Sequence, residues 1–168
     1  MIELAEYDSR YEEETLKRMA DFFGFHRSLY DGFDGSNPEV SRVTIETLER
    51  WISEDHALYV ILHGGESAGF IHIGYRGGNV AWIEDIYVDK QRRGKGIASR
   101  AVRLAEEIIA RDKDYDAVCV DICPRNTDSM KLAFSLGYIN LSMITVRKEL
   151  YGSGKDREVS FLGLDYKY

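Results

Sequence analysis

Residues 82–110, WIEDIYVDKQRRGKGIASRAVRLAEEIIA, constrain what this chain can fold into more than any other stretch. They open as a strand, turn through Gln91-Arg92-Arg93-Gly94-Lys95-Gly96, and continue as a long amphipathic helix starting near Ile97. Apolar side chains then recur at Ala101, Leu104, Ala105 and Ile108, the spacing of a helix with one buried face. Arg100, Arg103, Glu107 and Arg111 take the opposite face.

The turn is the chemically loaded part. The first N–H groups of a helix have no intrahelical partner, and the helix dipole makes that end partly positive. Glycines at Gly94 and Gly96 let an anion reach those groups without meeting a Cβ, and Arg92, Arg93 and Lys95 add positive charge around them. The combination describes a pyrophosphate cradle. A tight strand-to-helix turn with solvated basic side chains is the plainer alternative, and the coincidence of glycine, charge and helix start favours the cradle. A Walker loop is excluded because Gly94-Lys95-Gly96-Ile97 does not supply G-x-x-x-x-G-K-[ST]. A dinucleotide fingerprint would need glycine where Ser99 stands.

The run Val88-x-x-Gln91-x-Arg93-Gly94-Lys95-Gly96-Ile97-Ala98 resembles the coenzyme-A pyrophosphate loop of the GNAT acetyltransferase superfamily, Q/R-x-x-G-x-G/A. Downstream, Asn126 and then Gly137-Tyr138 resemble that family's N…G-[FY] segment, so the likeness covers about residues 58–150. It implies acetyl-CoA as cosubstrate, with Gln91 to Ala98 holding the pyrophosphate and Asn126 meeting the pantetheine arm. It also implies an α/β fold: a mixed, mostly antiparallel sheet flanked by helices, with two central strands, residues 80–88 and 117–122, splayed apart. The arm enters that gap, where Ile86, Tyr87 and Val88 offer a backbone N–H to polarise the acetyl carbonyl.

With 168 residues the chain suits one domain spanning 1–168. A net charge of −7 argues against nucleic acid as a main partner, and the basic cluster between Arg92 and Arg103 lacks interleaved aromatics. No apolar run approaches a membrane span and the N-terminus has no signal-peptide pattern, so a cytoplasmic location is expected. Cys119 and Cys123, four apart on a strand, would sit about 13 Å apart, too far for a disulfide or a shared metal. The histidines at 26, 56, 63 and 72 are scattered, and no metal site is expected. His72 reads as a core residue, and His26 lies among aromatics that either line a pocket or simply pack.

In chain order the pattern predicts a strand over 1–7 and a helix to about 25, begun by the capping box Ser9-x-x-Glu12. A loop rich in aromatics, acids and glycine follows over 27–38, either an acceptor-pocket wall or a plain connection. Next come a helix over 40–53 with Ile45, Leu48 and Ile52 inward, and strands over 57–63, 67–75 and 80–88 joined by glycine turns. After the central helix a short buried strand over 117–122, a helix over 126–136 and strands over 138–150 and 159–166 complete the chain. The last apolar-rich strands would leave an open sheet edge, from which a homodimer is expected.

Transfer to an amine needs a polarised carbonyl, an acceptor for the ammonium proton and a stabilised leaving thiolate. Strand alternation puts Glu84 on one face with Trp82, Ile86 and Val88, and Asp85 on the other with Ile83 and Tyr87. A carboxylate in that apolar row would be partly desolvated, which makes Glu84 the first candidate base; Asp121, ending the opposite strand, is the second, acting directly or through water. A salt bridge for Glu84 and a turn role for Asp121 are the structural alternatives. Trp82-Ile83-Glu84 with Asp121-x-x-Pro124-x-Asn126 is similar to the aminoglycoside 6′-N-acetyltransferases within GNAT, whose acidic residues here serve the acceptor amine. One departure stands out: the tyrosine that many members carry seven residues after the asparagine is Ala133 here, leaving Ser129, Tyr138 or water to protonate the thiolate. No acyl-carrying nucleophile is evident, since Cys123 lacks an identifiable histidine base. The expectation is direct transfer to an aminoglycoside- or polyamine-like amine, against a peptide or protein amine, or a non-catalytic acyl-CoA-binding module.

Overall fold

The computed structural model describes residues 1–31, 40–111, 114–148, 150–151 and 157–168, with backbone alone at 30 and 31. Five strands form the main sheet in the order β1-β2-β3-β4-β5: β1 (Ile2–Glu6), β2 (His56–His63), β3 (Glu66–Gly74), β4 (Val80–Val88) and β5 (Ala117–Val120). The first four pair antiparallel, and β4 pairs parallel with β5. Glycine turns close β2–β3 and β3–β4, with Gly64, Gly65, Gly77 and Gly78 all at positive φ.

Parallel pairing runs from Val80–Ala117 to Ile83–Val120 and stops there. Beyond it β4 continues through Glu84 to Val88 with no strand partner on that side among the described residues, so the two central strands part as the family resemblance implies. Asp121 lies just past the end of β5 instead of within it, and β5 is half-exposed where a buried strand was expected.

Helices α1 (Glu12–Asp31) and α2 (Arg42–Trp51) cover one face, and α3 (Ile97–Ile109) the other. Under α3, Ile61, Ile71, Ile73, Ala81, Ile83 and Val88 pack with Ile97, Ala101, Val102, Ala105 and Ile109. Under α1 and α2, Met19, Phe22, Leu48 and Trp51 pack with Leu58, Phe70 and Tyr87. Phe70 is fully buried, and truncating such a side chain to alanine costs about 3–5 kcal/mol. Within α3 the buried stripe is rotated from the expected one, taking Val102 and Ile109 and leaving Leu104 and Ile108 half-buried. In α2 the inward residues are Thr44, Leu48 and Trp51, while Ile45 and Ile52 are exposed.

α1 opens on a short 3-10 turn capped by Asp8, whose carboxylate accepts from the Arg10 N–H, so the expected Ser9 box does not form. It also runs past residue 25 to Asp31, which makes residues 27–31 helical; the rest of the expected loop, 32–38, lies outside the described residues. Two arginines tie α1 to the sheet ends. Arg18 donates to Asp89 at 2.8 and 3.0 Å and to the Ser67 hydroxyl at 2.7 Å. Arg125, before α4 (Thr127–Leu136), donates to the Leu29 carbonyl at 3.2 Å and the Tyr168 carbonyl at 2.8 Å.

The expected strand over 138–150 is not formed: its described residues carry no strand pairing, and Ile139, Leu141, Met143, Ile144 and Val146 are exposed. The terminal segment is a hairpin, β6 (Glu158–Phe161) and β7 (Leu164–Lys167), instead of one strand, because Leu162 and Gly163 both take positive φ and reverse the chain. Among the described residues no helix is long and apolar enough to cross a membrane.

Candidate functional site

The basic loop leaves β4 through Asp89, makes a short turn over Lys90–Arg92, and enters α3 at Gly96. Gly94 and Gly96 sit at φ 74° and 73°, and a Cβ on either would meet nothing within 4 Å. Glycine is needed there for the left-handed backbone and not for crowding. Gly96 is the N-cap of α3 and offers no side-chain oxygen to cap the first turn. The first-turn amides of α3 and the open space above the glycines are the features that a helix-start anion site requires.

The three basic side chains divide their work. Arg93 turns back, its Nε donating to the Val88 carbonyl at 3.0 Å with its guanidinium 5.4 Å from the Tyr87 ring centre. Arg92 pairs with Glu66 at 2.6 Å. Lys95 is exposed and has no ion-pair partner among the described residues. Gln91 is exposed at the turn, Ile97 is buried in the core, and Ala98 packs partly against it. Ile86 and Val88 point into the cluster under α3, and Tyr87 into the one under α1.

A β-bulge decides the chemistry of β4. His72 pairs with Asp85 but Ile73 pairs with Ile83, so Glu84 is an extra residue in the ladder. The expected alternation therefore breaks at this position. Ile83 shares the α3 cluster with Ile86 and Val88, whereas Asp85 and Tyr87 lie on the α1–α2 side. Glu84 and Asp85 both send their carboxylates to that side: Glu84 over Gly74, Asp85 to His72. The space over Gly74 is filled by Glu84, since a Cβ there would run into Oε1 and lie 2.9 Å from Cδ and Cγ.

Glu84 does not sit in an apolar row. Arg76, from the turn after β3, grips both of its oxygens through Nε (2.7 Å) and Nη2. The same guanidinium donates to Asp121 at 3.2 Å and stacks 4.0 Å over Trp82. Its two carboxylates hold the Arg76 proton more firmly than usual, the hydrogen bond to Glu84 contributing most. Arg76 thus joins the two sequence candidates, which approach from opposite sides of the strand gap.

Behind them runs a chain that sequence reading missed. Asp85 Oδ2 lies 2.8 Å from His72 Nδ1, and His72 Nε2 lies 3.0 Å from His56 Nδ1. His72 is 2% exposed and stacks on Trp51, ring centres 4.3 Å apart and planes at 19°. His56 opens onto a cleft of about 410 Å³ that it lines with Asp55, Tyr75, Arg76 and Gly77. Nothing in strand periodicity joins positions 56, 72 and 85; only the β2–β3–β4 register does. The glycine-flanked Arg76 was the one legible hint, a cation on a turn beside the acidic strand. His26 packs on Phe22, and burial pushes its ring toward the neutral form against the pull of Asp85.

Asn126 caps α4, its side-chain oxygen accepting from the Ser129 N–H at 3.2 Å. Tyr138, one of the candidate acids for the thiolate, is committed elsewhere: its hydroxyl donates to Glu106 of α3 at 2.8 Å. Burial, then Glu106, drive its proton affinity up. Ala133 is half-buried in α4. Cys119 and Cys123 are free and half-buried, Cys123 beyond the end of β5, and no described group of His, Cys, Asp and Glu forms a metal site.

The fold is shared with solved structures at low sequence identity. A transcriptional regulator from Bacillus halodurans C-125 superposes with a TM-score of 0.68 at 19% identity, covering 89% of this chain and 100% of that one. A ribosomal-protein-alanine N-acetyltransferase from Brucella melitensis biovar Abortus 2308 gives 0.64 at 15% identity, covering 88% and 100%. AAC(6')-Iy, in complex with the bisubstrate analogue CoA-S-monomethyl-acetylneamine, gives 0.59 at 19% identity, covering 89% and 99%. No curated protein sequence matches the chain. The acetyltransferase (GNAT) family model matches residues 18–138, from α1 through the cradle to Tyr138, and the chain belongs to this family, whose members take their acetyl group from acetyl-CoA.

Proposed function

We propose that this protein acetylates a primary amine on a small cationic molecule, of the aminoglycoside or polyamine type, by direct transfer from acetyl-CoA in a ternary complex. The observation that carries the reading is Arg76. One guanidinium bridges Glu84 and Asp121 and stacks on Trp82, so the surface flanking the strand gap already binds a cation. An acceptor ammonium can take over those contacts if Arg76, on its Gly77-Gly78 turn, swings aside. The neighbour crystallised with an acetylneamine conjugate supports the substrate class by analogy of fold.

Acetyl-CoA supplies an activated acyl carbonyl and a thiolate leaving group. Gly94 to Ala98 would hold its pyrophosphate through backbone N–H groups, with Lys95, Gln91 and Arg92 as outer contacts and Arg93 fixing the loop to β4. Ile86, Tyr87 and Val88 belong to the unpaired part of β4 and would offer backbone to the arm, as would the Asn126 amide nitrogen beside the helix cap. Glu84 and Asp121 orient the acceptor ammonium. We also place this protein as a homodimer that covers the exposed apolar side chains between Ile139 and Val146, which sedimentation equilibrium would test.

Thiol release from acetyl-CoA against aminoglycosides, polyamines, amino acids and short peptides tests the reading, with thermal stabilisation by acetyl-CoA recorded alongside. Saturable turnover on a small polyamine or aminoglycoside, lost in Glu84→Gln with acetyl-CoA stabilisation intact, is expected. Turnover confined to peptides would overturn the substrate class. Stabilisation without turnover would leave an acyl-CoA-binding module, and no stabilisation would sink the cradle itself.

A further inference from the structure

Resting on the acetyl-transfer reading, we propose that His56 takes the proton from the acceptor ammonium, with His72 and Asp85 behind it as positioning residues. The order of hydrogen bonds assigns each ring its tautomer. An ionised carboxylate can only accept, so His72 Nδ1 donates to Asp85 at 2.8 Å. In the proposed relay His72 Nε2 accepts, and His56 Nδ1 donates to it across 3.0 Å. The remaining nitrogen, His56 Nε2, is left with its lone pair on a residue that lines the open cleft. His72 is sealed under Trp51, which keeps water from competing for the inner bonds.

Register brings His56 beside the acceptor contacts. His56 pairs directly with Gly74, and the Glu84 carboxylate lies over Gly74. Directly paired residues on adjacent strands are about 4.5–5.5 Å apart, so an ammonium docked on Glu84 stands next to His56. Glu84 itself is poorly placed to take the proton while Arg76 occupies both of its oxygens. Arg76 lines the same cleft as His56, so its departure would open the approach to both.

The charges that face the chain come from every packed element. On His56, burial leads in favouring the neutral form, helped by His72 and by Arg50 of α2, while Glu84 and Asp55 oppose it. From α1, His26 faces Asp85. A ring whose neutral form is favoured is ready to accept a proton. In the step, the ammonium R–NH3⁺ gives one proton to His56 Nε2. The freed nitrogen lone pair forms a C–N bond at the thioester carbonyl, and the C–S bond breaks with its electron pair leaving on sulfur. The new amide nitrogen sheds a second proton, which balances the thiolate. The His56 imidazolium, stabilised through His72 by Asp85, returns its proton to water in the cleft.

His56→Gln and Asp85→Asn, assayed for kcat and KM of the amine across pH 5–9 with acetyl-CoA stabilisation in parallel, test the relay. In His56→Gln, kcat should fall by about 10²–10⁴-fold, the range a general base supplies, with acetyl-CoA stabilisation unchanged. Asp85→Asn should keep His56 but weaken its base strength, lowering kcat and moving the acid limb of kcat/KM to lower pH. A packing role alone would leave that limb in place. His56→Gln with kcat within twofold of wild type and the same limb would overturn the relay while leaving the acetyltransferase standing. A wild-type protein that binds acetyl-CoA and acetylates nothing would overturn both. If Asp85→Asn does not fold, the His56→Gln result alone decides.

Discussion

Gly74→Ala places a single carbon where the Glu84 carboxylate now lies. The added Cβ would stand 2.9 Å from Glu84 Cδ and Cγ. An ordinary carbon–carbon contact needs about 3.5–4.0 Å, so the carboxylate must retreat by about 1 Å. Gly74 is not among the glycines with positive φ, so alanine fits the backbone and gains about 0.5–1 kcal/mol from the unfolded chain. Against this stands a loosened Arg76–Glu84 pair whose side chains are 43% and 16% exposed. Solvent screening limits such a pair to about 1 kcal/mol, and the net change in stability is close to zero. Function should respond very differently, because a displacement of about 1 Å at a positioning group costs about 10²-fold in rate. The assay is kcat/KM for the amine beside Tm and acetyl-CoA affinity in the same preparation. A variant with kcat/KM within threefold of wild type would refute the reasoning. So would a Tm loss beyond about 5 °C, which would mean that the methyl group disturbs the sheet and not the carboxylate.

Gly96→Ala forces a Cβ onto φ 73°, at a cost of about 1–2 kcal/mol, and should weaken acetyl-CoA binding roughly tenfold in calorimetry while leaving the acceptor KM unchanged. Tyr138→Phe removes a half-buried hydroxyl bonded to Glu106, so unfolding should cost about 1 kcal/mol less, with no change in kcat; a hundredfold loss of kcat would restore Tyr138 as the thiolate's acid. Burial holds folded His26 below its unfolded proton affinity, so the unfolded chain binds the extra proton. Stability should therefore fall as pH drops below about 6.5, and His26→Gln should flatten that slope in urea titrations; an unchanged slope would count against the assignment.

The run from Trp82 to Ala110 was readable because its signals are local. Apolar periodicity, two glycines and a helix start lie within one turn of each other, and the structure keeps them together. Most strands followed from the same logic, with glycine at each hairpin. The face that carries Glu84 and Arg76 was not readable in the same way. Alternation assumes one residue per rung, and the bulge at Glu84 inserts one without a glycine or proline to announce it. Its detection needs the partner strand. Likewise Arg76 meets Asp121 across 45 positions of sequence, and His56 meets His72 only through β2–β3 pairing. Ser9 lost the cap to Asp8 because both are capping residues one position apart and Asp8 also binds the Arg10 side chain. The predicted strand over 138–150 has the composition of a strand, but composition does not supply a partner edge.

The two arginine ties on α1 have a mechanical meaning. Arg18 fastens the helix to Asp89, where β4 runs into the basic loop, and Arg125 fastens it at Leu29 beside Asn126, past the end of β5. From Arg18 to Leu29 the helix spans about 16 Å at 1.5 Å per residue. α1 is therefore tied to the chain beyond both strands that part, through Asp89 just past β4 and through Arg125 beyond β5. Under the proposed function, this stiff rod of backbone would help keep the opening for the donor arm. Substitutions at Arg18 or Arg125 would then register as weaker acetyl-CoA affinity, although neither residue belongs to the cradle.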